Sequence, residues 1–228
     1  SADHFAMHVF KIDRDSQKIC LVHSYAIAGV SLKQHMQYFL YLIENFNIVG
    51  ICGDYNGGVQ FINSCNESAL FKNADVKIGV VDVDLEKPEN WHSDIMKFKS
   101  QYNVKARNYC ILRKPTVSWN RIANEMLQAA IDSHFDEQRK KNIPIEKLKW
   151  DMKMLGSSKA ALMIDFIDHQ KSVVELTKSE CANIEVIGNP QGSQSFNLPQ
   201  NLRRQKGPNR ARKDSYSALV LGNWFAKV

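Results

Sequence analysis

The stretch IVGICGDYNGG, residues 48–58, decides how the rest of the chain is read. Apolar and small residues run without polar alternation, end in Asp54, and are followed by Gly57 and Gly58. A run of this kind suits a strand buried on both faces, the habit of parallel strands in α/β sheets. In such sheets ligands bind beyond the carboxyl ends of the strands, where Asp54 would stand. Burying a lone carboxylate costs several kcal/mol unless it is paired or binds a cation. Two readings of Asp54 therefore stand side by side. It reaches solvent and an ion from the strand end, or it caps the following turn, as aspartates do. The two glycines leave room for a backbone or a phosphate to approach.

On the N-terminal side, FAMHVFKI (5–12) and KICLVHSYAI (18–27) are rich in β-formers and flank the turn-like DRDSQ, which predicts an antiparallel hairpin. Residues 31–46 place Leu32, Met36, Phe39, Leu40, Ile43 and Phe46 at helical spacing behind Ser31, a suitable N-cap. Hairpin, crossover helix and buried strand together predict an α/β fold with a mixed sheet and helices packed on it. Downstream, residues 59–71 read as a short helix, and VKIGVVDVD (76–84) and NYCILR (108–113) as strands. Ser118 is placed to cap a long helix with Trp119, Ile122, Met126, Ala130 and Phe135 near one stripe. Residues 136–150, charged and carrying Pro144, read as an exposed connection. A helix over 159–176, a late hairpin over 184–199 and a last helix over 214–227 follow. No internal repeat or linker divides the 228 residues, so one domain, 1–228, is expected.

With 44% hydrophobic residues the chain can bury a core. No apolar run nears the roughly 20 residues of a membrane span, and the opening residues do not read as a signal peptide. Cys20, Cys52, Cys65, Cys110 and Cys181 form no CxxC pair and read as buried, reduced thiols. The seven histidines show no zinc-ligand spacing. There is no GxxxxGK[ST] loop for ATP and no GxSxG elbow.

Charge is more informative. The segment QNLRRQKGPNRARK (200–213) holds Arg203, Arg204, Lys206, Arg210, Arg212 and Lys213 and no acid. Six of the 30 Lys and Arg lie there, and the other 24 match the 24 acids, so the whole net charge of +6 sits in one segment. That pattern points to a polyanion, although a solvated basic loop has the same composition. Asp214 follows directly and opens the last helix, where an N-cap or a favourable contact with the helix dipole is the plain role. A carboxylate among arginines and lysines is also where a metal meets a phosphate backbone. The other acids read more simply. Asp13 and Asp15 suit the hairpin turn, Asp82 and Asp84 the polar end of an edge strand, and Asp165 and Asp168 a solvated helix face.

In order and motif the chain resembles the C-terminal nuclease domain of the large terminase subunit of tailed bacteriophages, which is RNase H-like. The two sharpest matches are the strand ending in Asp54 with its glycines, and KDSYSAL carrying Asp214. The resemblance implies an RNase H-like mixed sheet flanked by helices, and a metal-dependent endonuclease cutting double-stranded viral DNA during genome packaging. It implies Asp54 and Asp214 as ligands of Mg²⁺ or Mn²⁺, with Asp3 as a further acid, and Arg203 to Lys213 on the DNA. It further implies an ATPase domain in the parent protein, a portal ring and a small terminase subunit as partners, no membrane, and the cytoplasm of an infected bacterium.

The family's first metal-binding aspartate ends a strand ahead of a segment resembling SADHFAMHVF, at which this sequence begins. The expectation is that this strand lies outside the sequence; the alternative makes FAMHVFKID the first strand and Asp13 the ligand. Near Asp214, where some relatives carry a histidine or second acid, this chain has Arg210, Arg212, Lys213 and Ser215. Two other functions stay open: a DNA-binding or protein-interaction module without a competent metal site, and an RNase H-like enzyme acting on RNA or recombination intermediates.

Overall fold

The computed structural model describes residues 5–13, 15, 18–83, 87–103, 108–114, 116–138, 158–188, 194–207 and 210–227. Asp3, Asp84, Pro115, residues 139–150 and the tip of the late hairpin lie outside them. The chain is α/β and divides into two units, Ser1–Ala28 with Val117–Ala226, and Gly29–Thr116 with Lys227–Val228.

In the first unit, β1 (Phe5–Asp13) and β2 (Lys18–Ile27) pair antiparallel. Asp13 closes the hairpin as a turn residue, its Oδ1 accepting the Asp15 N–H at 3.1 Å. Val9 faces His23 and Phe10 faces Leu21, so Val22 is the extra residue of a bulge. After the residues of the second unit, the first resumes with helices α5 (Val117–Gln138) and α6 (Ser158–Ala182). Strands β6 (Glu185–Gly188) and β7 (Gln194–Asn197) form the late hairpin, and α7 (Gln200–Arg203) and α8 (Asp214–Lys227) follow. Helix α6 packs on β2 and α5 on β7. The Gln170 side-chain amide on α6 accepts the Ser24 N–H at 2.8 Å and donates to the Ser24 carbonyl at 2.9 Å. A side chain thus takes the place of a neighbouring strand on β2. Trp119 and Trp224 meet edge to face at 5.6 Å between α5 and α8.

The second unit holds α1 (Leu32–Asn45), β3 (Ile51–Asp54), α2 (Tyr55–Glu67), α3 (Ala69–Asn73), β4 (Gly79–Val81), α4 (Trp91–Tyr102) and β5 (Tyr109–Arg113). Ser31 caps α1 in a full capping box with Gln34. Its apolar side buries Phe39 against Phe61 and Phe71, at ring distances of 5.4 and 6.2 Å. The three strands are parallel in the order β3-β5-β4. Asn66 repeats the device seen at Gln170, bonding both the N–H (2.9 Å) and the carbonyl (2.8 Å) of Ile78 just ahead of β4.

Several expectations are corrected. The hairpin and the parallel strands belong to separate sheets among the described residues, so α1 does not cross over within one mixed sheet. The strand before Asp54 begins only at Ile51 and is half-buried, with Val49 exposed. The fully buried strand is β5, which has a neighbour on each side. Strand β4 ends at Val81, leaving exposed Asp82 just beyond it. Helix α5 starts at Val117, so Ser118 lies in its first turn rather than at its cap. Its buried side is Trp119, Ala123, Asn124 and Leu127, while Ile122 is exposed. Both stripes share Trp119, and from there the buried one steps by four residues to Ala123 and Leu127 rather than by three to Ile122.

Gly222 in α8 sets a packing limit. A Cβ there would meet the Phe10 ring at 2.1 Å. Alanine gains about 1 kcal/mol of helix propensity over glycine, whereas overpacking costs about 1–3 kcal/mol. Gly222→Ala is therefore expected to lower stability by about 1–2 kcal/mol in urea denaturation, with partial recovery when Phe10→Leu is added. A gain in stability from Gly222→Ala alone would show that the ring swings aside freely.

Candidate functional site

Parallel pairing gathers the strand ends of the second unit at one edge. Asp54 and Arg113 are register partners at the carboxyl ends of β3 and β5, and Asp82 follows the end of β4. Asp54 is exposed, and its Oδ1 accepts the Asn56 N–H at 3.1 Å, capping α2. Of the two sequence readings of Asp54, the turn cap is what the structure shows, and the carboxylate that makes it is exposed at a strand's carboxyl end. Asn56 departs from helical geometry and Gly57 has φ +89°, a region that strongly favours glycine, so the chain turns sharply after the carboxylate. Gly58 has a packing reason, since a Cβ there would lie 2.9 Å from Leu112 Cδ2.

Sequence reasoning misses Arg113, although it ends an apolar strand as Asp54 does. It is buried, and its charge acts on the Cys52 thiol. Burial nonetheless pushes Cys52 up to about 12, so this thiol stays protonated. Burial likewise pushes Cys65 to about 12 and Cys181 to about 11. Cys20, by contrast, is exposed, because it points outward from β2.

In the first unit the basic segment leaves α7 and leads into α8. Arg203, Arg204 and Lys206 are exposed, and Arg210, Arg212 and Lys213 are half-buried. Lys213 donates to the Phe196 carbonyl of β7 at 3.4 Å. Burial holds its ammonium below the ordinary lysine range, with the Arg203 charge adding to this and Asp214 opposing it. Lys213 is also the cap position of α8, since its carbonyl accepts the Ser217 N–H at 2.9 Å. Asp214 therefore stands inside the cap, as the first helical residue.

An ammonium has donors only and cannot cap a helix N-terminus. The acceptor comes from α6. Glu180 is 4% exposed, and its Oε2 accepts the Tyr216 N–H at 2.9 Å. Burial pushes its carboxyl above the ordinary range; the Tyr216 and Ser215 backbone bonds and the Arg212 charge pull it down, and the Asp214 charge pushes it up. Next to it Ser215 is fully buried, and its Oγ pairs with Thr177 Oγ1 at 2.6 Å. His8 of β1 bonds Ser24 Oγ through Nδ1 at 3.0 Å and the Ser215 carbonyl through Nε2 at 3.0 Å. The Tyr216 hydroxyl donates to Asn124 of α5. None of Glu180, Thr177 and His8 carries a local sequence signal for this role. The one clue is a lysine where the helix needs an acceptor.

Asp165 and Asp168 lie on α6, with Asp168 exposed. Among the described residues no three His, Cys, Asp or Glu side chains gather to hold a metal ion. The carboxylates of Asp54 and Asp214 are hard oxygen donors, which fit Mg²⁺ or Mn²⁺ better than a soft metal. Among the described residues no helix is long and apolar enough to cross a membrane. No family model, no curated protein and no solved structure matches the chain.

Burial also holds His8, His23 and His35 below the ordinary imidazole range. A histidine depressed on folding binds fewer protons than in the unfolded chain, so acid favours unfolding through it. Glu180, raised on folding, acts in the opposite sense. Three groups oppose one, so stability is expected to fall between about pH 7.5 and about pH 5.5, on either side of the ordinary imidazole value. Urea midpoints across that range check this, and His8→Gln should flatten the slope. A profile that is level or rises toward acid would contradict it.

Proposed function

We propose that the chain is a metal-dependent endonuclease domain of RNase H-like fold that cuts double-stranded DNA, akin to the nuclease domain of phage large terminases. The observation that carries this reading is Asp54, an exposed carboxylate at the carboxyl end of a parallel strand, fixed by its own turn. Asp54 and Asp214 serve as ligands for Mg²⁺ or Mn²⁺, with Asp3 as a further acid. An ion held by such a carboxylate would supply Lewis acidity toward a phosphodiester and a water of lowered pKa. The exposed Arg203, Arg204 and Lys206 hold backbone phosphates, and Arg210, Arg212 and Lys213 extend that basic run toward Asp214. Phosphate binding of this kind holds DNA without sequence preference. By the same resemblance the physiological setting is genome packaging in an infected bacterium, with an ATPase domain, a portal ring and a small terminase subunit as partners.

A second reading, a DNA-binding module of the same fold without a competent metal site, rests on the exposed Arg203, Arg204 and Lys206, which need no metal to hold phosphates. Plasmid cleavage with Mn²⁺, Mg²⁺ or EDTA separates the two. Asp54→Asn keeps an effective turn cap and is expected to keep the fold while cutting cleavage by about 100-fold or more, the scale of lost electrostatic catalysis. Undiminished cleavage in that variant would remove Asp54 from the site.

Binding has its own test. Replacing Arg203, Arg204 and Lys206 with alanine should lower the slope of log K against log salt by about 0.9 for each phosphate that is no longer neutralised. Fluorescence anisotropy with a duplex at several salt concentrations measures this. An unchanged slope would place the DNA elsewhere.

A further inference from the structure

We propose that Glu180 is a positioning residue for Asp214: it caps α8 from another helix and so fixes the direction of the carboxylate at the first helical position. The proposal rests on the reading of Asp214 as a metal ligand.

The first turn of a helix has N–H groups without acceptors in its own backbone, and a Ser, Thr, Asp or Asn at the cap normally serves them. Here the cap is Lys213, and the Tyr216 N–H goes to Glu180 Oε2 at 2.9 Å. Thr177 stands one turn before Glu180 on α6, on the same face, and holds Ser215 Oγ at 2.6 Å. His8 holds the Ser215 carbonyl at 3.0 Å and lies 3.1 Å from Ser215 Oγ. Residues 215 and 216 are thus fastened from β1 and α6 directly behind Asp214. Of the four side chains involved, Glu180, Thr177 and Ser215 are buried and His8 is half-buried.

A cap for stability alone needs one serine at position 213. Capping from a distance achieves two further things. It leaves the cap position to a cation of the basic segment, beside Asp214. It also ties the backbone directly after Asp214 to α6 and β1. Metal-ligating carboxylates need support of this kind, and losing such a partner typically costs 10–100-fold in affinity or activity.

The test compares the wild type with Glu180→Leu, which fills the buried volume without an acceptor, and Glu180→Gln, which keeps an acceptor oxygen. Two quantities are read: hydrogen exchange of the Tyr216 amide, and Mn²⁺-dependent plasmid cleavage. In Glu180→Leu, protection of that amide is expected to fall at least about tenfold and kcat about 10–100-fold, with KM for DNA within about threefold. Glu180→Gln is expected to restore most of both. The proposal is overturned if Glu180→Leu loses protection but cleaves normally, which makes the cap purely structural. It is equally overturned if Glu180→Gln cleaves as poorly as the leucine variant, which makes the charge itself the active feature; this arm stands even if Glu180→Leu does not fold. Failure of the nuclease reading looks different, since the wild type itself would then show no metal-dependent cleavage.

Discussion

The start of the last helix needs an acceptor that its own cap residue cannot provide. Lys213 brings a carbonyl to the Ser217 N–H but no side-chain oxygen to the N–H groups of the first turn. Glu180 fills that need from α6, at the cost of burying a carboxylate that burial drives toward its protonated form. Much of the first unit is arranged around this exchange. Thr177 and His8 complete the polar surroundings of Ser215, Gln170 fastens α6 to β2, and Tyr216 reaches Asn124 on α5. The network is not fully satisfied, because Glu180 Oε1 is buried without a hydrogen-bond partner, which adds to what drives this carboxylate toward its protonated form.

The second unit solves a different problem, which is how to end adjacent parallel strands in charge. Its parallel pairing puts Asp54 opposite Arg113. The carboxylate is exposed and caps its own turn, whereas the guanidinium is buried. Parallel sheets present the carboxyl ends of their strands as the place for ligands, so chemistry and topology point to the same edge. In both units a side-chain amide closes a backbone edge, Gln170 on Ser24 and Asn66 on Ile78.

Local pattern makes most elements legible. The two hairpins, the capping box at Ser31 and the strand YCILR follow from residues close in sequence. What escapes it is whatever depends on neighbours distant in the chain. The apolar run before Asp54 reads as the most buried strand, but burial is decided by the number of flanking strands, and β5 takes the middle place. The stripe of α5 is misjudged because Ile122 is more apolar than Ala123, yet the packed surroundings bury the alanine and leave the isoleucine exposed. Of the candidate residues, Asp54, Asp214 and the basic segment are visible as charges in telling positions. Glu180 is invisible, because it sits in an ordinary helical sequence and acquires its role from a lysine 33 places later.

Whether Asp54 and Asp214 are metal ligands is the question on which the nuclease reading turns, and paramagnetic broadening answers it. Mn²⁺ would be titrated into ¹⁵N-labelled protein and the loss of amide signals followed residue by residue. Metal ligation by these two carboxylates requires selective broadening around residues 52–57 and 213–216 at low Mn²⁺, reversed by EDTA. It also requires that the first stretch lose its broadening in Asp54→Asn and the second in Asp214→Asn. Broadening centred on other residues, or spread evenly over exposed acids, would contradict it.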